Sequence, residues 1–179
     1  MKLKYKIIAI AAAALVAAAA FSGCRDAKRE NSHASKAAEI SDSDRLSLED
    51  YRTKLFTTFQ NWSKSIKAVT NGLYGSDDEL LSFAEVSAAI EESKKYLDEF
   101  KEIYPPKSLD KEHNEMLLAI DGEYKWLDEA EAANNAREAN NLEAFRQATE
   151  EATKALNATT FPAEMLELVK AVNATASRE

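Results

Sequence analysis

The amino-acid sequence predicts an all-α protein: an antiparallel up-down-up-down four-helix bundle whose last helix is kinked or split near Pro162. Three observations predict it. Apolar residues recur at steps of three or four, the repeat of one helix face, along four long stretches. The few glycines and prolines fall mostly where those stretches end. No alternation of apolar and polar residues is long enough to make a strand. Long amphipathic helices with short connections pack antiparallel to their neighbours, hence the bundle.

The first helix opens at Ser47-Leu48-Glu49-Asp50, which resembles a capping box. Ser47 accepts a backbone N–H there, and Asp50 suits the positive end of the helix. Its stripe runs through Leu48, Tyr51, Leu55, Phe59, Trp62, Ile66, Val69 and Leu73. Asn71-Gly72 and Gly75 are expected to stop it, because they tolerate positive φ. Ser76-Asp77-Asp78-Glu79 reads as a second capping box, with carboxylates on the helix dipole. The second stripe holds Phe83, Val86, Ile90, Leu97, Phe100 and Tyr104, and Pro105-Pro106 ends it.

A third helix begins near Ser108, with Leu109, His113, Met116, Leu117, Ile120, Tyr124 and Leu127 on one face and Trp126 near its edge. Gly122 is interior, at a cost of about 1 kcal/mol relative to Ala. It marks either a close helix crossing or a tolerated glycine. Alanines and asparagines from Ala130 to Asn141 weaken the pattern. Asn141 caps the fourth helix, whose inner face is expected to use Leu142, Phe145, Ala152 and Leu156. At Pro162 that helix either kinks, or stops so that a fifth starts with proline at its first position. Met165, Leu168, Val169 and Val172 continue the apolar face.

Ahead of the bundle the chain has a different character. Met1 to Lys6 is basic, and Ile7 to Phe21 is apolar throughout. Those residues span about 22 Å as a helix, short of the ~30 Å hydrocarbon core. A basic start, a short apolar core and small residues at its end mark an export signal. The next residues, Phe21-Ser22-Gly23-Cys24, contain the only cysteine in the chain. They resemble the lipobox of bacterial lipoproteins. The resemblance covers the first 24 residues. It implies a diacylglycerol on the Cys24 thiol, cleavage between Gly23 and Cys24, and acylation of the new amino group. A thiolate is a strong nucleophile suited to that attachment. Each buried methylene adds about 0.8 kcal/mol, so two or more acyl chains hold firmly. A lone cysteine also excludes an internal disulfide.

The expected organisation is therefore a signal peptide at 1–23, a flexible tether at 24–46 and a bundle domain at 47–179. The tether is polar and mixed in charge, with a mean reach of about 25 Å. His33 lies inside it and is assigned nothing. Losing residues 1–23, with their three lysines, takes the net charge from −8 to −11. That excess opposes nucleic acid and anionic lipid surfaces. The region behind Cys24 is similar in style to helical lipoproteins of bacteria, with a Pro-Pro-x-x-Leu-x-x-x-His segment at Pro105–His113. That likeness carries no functional residues over. Arg25, in place of the aspartate associated with inner-membrane retention, points to an outer membrane where two membranes exist.

Chemistry is sparse. Asp110-Lys-Glu-His113 approximates half of a di-iron motif, and the bundle has no second histidine. Covalent haem needs Cys-x-x-Cys-His, which is absent. Met165 is the one methionine that could sit opposite His113 on a haem. No phosphate loop or nucleophile motif occurs in the bundle, so no catalytic residue, cofactor or metal is expected. His113 is the one candidate ligand contact. Its plainer role is a histidine bonded to a nearby carboxylate or backbone group, locking a turn. The expected function is a membrane-anchored binding or structural module of the cell envelope, held by lipidated Cys24, with an envelope protein as partner. The alternative is a small-molecule carrier with a cavity between helices lined by Tyr, Trp, Phe and His113.

Overall fold

A computed structural model describes residues 41–75 and 81–178. Among them the chain forms five α-helices and no strand: α1 (Leu48–Tyr74), α2 (Phe83–Lys101), α3 (Asp110–Glu138), α4 (Leu142–Ala158) and α5 (Phe161–Ala176). Short 3-10 turns precede α1 at Asp42–Asp44 and α3 at Lys107–Leu109. The architecture is a helical bundle. The expected signal, the expected lipobox with Cys24, and most of the expected tether lie outside the described residues.

Local chemistry explains the helix ends. Ser47 accepts the Asp50 N–H at 3.1 Å, as its position in a capping box requires. α2 starts at Phe83, where Ser82 and Glu85 form the reciprocal box. The Ser76 box lies outside the described residues, and the helix carrying the second stripe opens at Ser82 instead. Asn141 caps α4 by accepting the Ala144 N–H at 3.1 Å. Just before it, Asn140 adopts φ 53° and the Asn141 N–H bonds Ala136 O at 2.9 Å. This is a Schellman turn with asparagine in the left-handed position.

Of the expected stops, Gly75 ends α1 and Asn71-Gly72 does not. α1 continues through Asn71-Gly72, and Gly75 caps it with an ordinary φ of −67°. Gly72 is needed for space: a Cβ there would lie 2.2 Å from Val86 Cγ2. α1 and α2 thus pack almost backbone to side chain at that crossing. Gly122 marks a second close approach, its missing Cβ standing 3.2 Å from Thr159 Oγ1.

Neighbours in sequence meet at opposite ends. Leu46 N donates to Tyr104 O at the foot of α1 and α2, while Gly72 meets Val86 at their other end. Asn134 near the end of α3 bonds Phe83 O at the start of α2. The last helical stretch is split. α4 packs along α3, then Thr159-Thr160 interrupts it, and α5 packs on α3 and α1 with Pro162 in its first turn. The break delivers Phe161 into the centre of the core. Its ring stands 5.0 Å from Trp62 and 5.7 Å from Phe100.

Several side chains leave their expected places. Leu142 is 77% exposed; Ala152 is buried where expected, and Ala155 joins it against the bundle. Phe83 and Tyr104 are exposed, while Ile103 is buried. Trp126, expected near the edge of the α3 stripe, is fully buried in the core. Arg45 and Leu46, assigned to the tether, are attached to the bundle.

Candidate functional site

His113 sits in the first turns of α3 on the face that also buries Leu109 and Met116. It is 2% exposed. Its Nδ1 lies 2.9 Å from the Tyr51 hydroxyl of α1, with the two rings edge to face. The expected partner was a carboxylate or a backbone group; the structure supplies a phenol. The nearby Asp110 carboxylate is engaged by Arg45, whose Nη2 donates to Oδ2 at 3.0 Å and whose Nη1 also reaches Pro105 O at 2.9 Å. Arg45 therefore fastens the segment before α1 to the Pro105-Pro106 turn and the start of α3. Tyr51–His113 joins the same two helices one layer deeper.

Burial sets the electrostatics of this layer. It pulls the His113 imidazole down to about 4, against a smaller upward pull from Asp110. It pushes the Tyr51 phenol well above its ordinary value, with Glu112 adding to the effect. Both groups are neutral at physiological pH. With the imidazole proton on Nε2, the Tyr51 hydroxyl donates to Nδ1, and Nε2 has no partner among the described residues. The pair is built to hold two helices in register.

Glu123 is a second buried ionisable group that the apolar pattern did not single out. It is 1% exposed, and its Oε2 lies 3.2 Å from the Thr159 hydroxyl at the α4–α5 break. Burial pushes its carboxyl up to about 7, with the Thr159 hydrogen bond pulling weakly the other way. A signal existed in the sequence. Glu123 lies three residues after Ile120 and four before Leu127, squarely on the α3 stripe. Asn134 continues that stripe and is also buried, bonded to Phe83 O and Ser87 Oγ. Beside it Arg137 bonds Gly72 O and Leu81 O and lies 4.7 Å over the Phe83 ring. This brace ties α3 to both sides of the α1–α2 connection.

Two open grooves stand out on the surface of the described residues. One, of about 230 Å³, runs between α1 and α2 past Lys64, Ser65, Glu92 and Tyr96. The other, of about 410 Å³, lies between α3 and α5 and is lined by Lys111, Glu112, Glu115, Glu164, Glu167 and Lys170. Neither is lined by His113, Trp or Phe. Met165 is buried like His113, whose Nδ1 is occupied by Tyr51. No group of three His, Cys, Asp or Glu side chains among the described residues is arranged around a metal ion. No helix among them is long and apolar enough to cross a membrane. Cys24 and Gly23 lie outside the described residues. Comparison of the chain with protein families, curated proteins and solved structures finds no match.

Proposed function

We propose that this protein is a lipid-anchored component of the cell envelope, held outside the cytoplasm by lipidated Cys24 and acting as a binding or structural module. The observation that carries the reading is the solitary cysteine directly behind Ser22-Gly23 and an apolar run. Cleavage before Cys24 removes the signal, and the polar segment that follows links the anchor to the bundle.

The bundle itself supports a surface role over a carrier role. Its centre is filled by Trp62, Phe100 and Phe161, whose rings pack together, and by the buried Trp126, so aromatic residues expected to line a ligand cavity are spent on the core. Its grooves are open, and the larger one is lined by charged side chains. An acidic exterior keeps such a domain soluble and clear of an anionic bilayer. Recognition then falls to the helical surface, with an envelope protein as partner.

The test is growth of an expressing cell with labelled palmitate, followed by separation of membranes. The wild-type chain is expected in the membrane fraction carrying label. Cys24→Ala is expected to lose the label and leave that fraction. Equal membrane retention of an unlabelled Cys24→Ala overturns the lipid anchor. Crosslinking in intact cells addresses the second half: a discrete protein adduct supports the module, and a solitary chain with a co-purified compound replaces it with the carrier.

A further inference from the structure

The junction between α4 and α5 holds an arrangement that packing alone does not require. Glu123 is buried on α3 where Thr159-Thr160 interrupts the last helical stretch. A carboxylate has room for about four hydrogen bonds; the one described here comes from the Thr159 hydroxyl at 3.2 Å. The side chains that α4 and α5 bury around this break are Ala152, Ala155, Phe161 and Met165, all apolar. α1 and α2 meet Phe161 through Trp62 and Phe100. No ion pair among the described residues includes Glu123.

No charged side chain of the surrounding elements bonds Glu123 among the described residues. On α4, Lys154 pairs with Glu150 and Glu151. On α5, Glu164 lines the outer groove with Lys111 and Lys170. On α2, Asp98 accepts from Tyr124 and Lys101. On α1, Tyr51 is bonded to His113 of α3. An ionised Glu123 thus has no cation partner and a single described donor, and burying such a charge is costly.

We infer that the α4–α5 junction is a proton-operated latch, closed on a protonated Glu123 and opened at Thr159-Thr160 when that carboxyl releases its proton to solvent. The break is the cheapest entry for water. Its two residues lie between helices, and Gly122 presents no side chain to Thr159, whose Cα lies 3.4 Å from where a Cβ would stand. Opening lets the carboxylate reach water while α1, α2 and α3 keep their mutual contacts. Burial holds the carboxyl at about 7 when closed, so the latch works near neutral pH. This inference is independent of the anchor.

Amide exchange of the whole protein at pH 6 and pH 8, corrected for intrinsic exchange, tests it. Linkage between a closed-state value of about 7 and an ordinary open-state carboxyl of 4.5 predicts about tenfold less protection for residues 156–165 at pH 8. Residues 48–60 of α1 are expected to change less than about twofold. Glu123→Gln, and independently Glu123→Leu, are expected to flatten the response at 156–165, so failure of one variant to fold leaves the other. A flat wild-type response overturns the latch, as does an equal loss of protection in α1 or an undiminished pH response in a folded variant.

Discussion

At the scale of single residues, two buried ionisable groups work against each other. His113 is neutral when folded, so the unfolded chain binds more protons between pH 6.5 and about 4. Its contribution to stability is complete above pH 6.5 and is lost as pH falls toward about 4. Glu123 has the opposite sign. The folded protein holds its proton up to about 7, so stability is lost as pH rises from 4.5 to about 7. Each effect integrates to about 3 kcal/mol, and the slopes oppose over the overlap. Urea denaturation of Glu123→Gln is therefore expected to uncover the histidine limb, with stability rising by about 3 kcal/mol from pH 4 to 6.5. A wild-type profile retained in that variant contradicts the assignment. Tyr51→Phe leaves the buried His113 Nδ1 without its partner, and is expected to cost about 1–3 kcal/mol by the same measurement. His113 was legible because it sits on an apolar stripe. Its phenolic partner was not, since Tyr51 is 62 residues away and only the packing of α1 on α3 joins them.

At the scale of elements, what could be read was whatever local chemistry decides. The caps at Ser47 and Asn141 and the stripes of α1 and α2 follow from backbone donors and the helix repeat. Ser-x-x-Glu occurs at both Ser76 and Ser82, and the pattern alone does not rank the two. Helix–helix distance was illegible. α4 buries Ala152, which the stripe predicts, and also Ala155, whose small size reads only as helix propensity, while the larger Leu142 is left outside. Gly72 shows the same blindness, being read as a stop where it serves as a gap for Val86. Gly72→Ala is expected to destabilise by about 1–3 kcal/mol through overpacking, despite the gain in helix propensity. Leu142→Ala is expected to stay within about 0.5 kcal/mol. Thermal unfolding of the two variants side by side checks the contrast, and equal losses contradict the packing described.

At the scale of the whole molecule, the bundle was legible from four stretches of helical periodicity, and the split at Thr159-Thr160 was open between kink and break. The split matters because it turns the chain from α3 back into the core, where Phe161 meets Trp62 and Phe100. Arg45 and Leu46 bind the bundle at the foot of α1, beside the Pro105-Pro106 turn. Under the proposed anchoring, that end of the bundle is the one leashed to the membrane. Arg45→Ala is expected to release the segment before α1, with faster amide exchange at residues 45–47 and little change in α4. The role proposed for the molecule rests on the chemistry of one thiol. Mass spectrometry of the protein isolated from its own cells tests it most directly: the account predicts a chain beginning at Cys24 with a diacylglycerol on sulfur, and an intact Met1 end or an unmodified Cys24 thiol would contradict it.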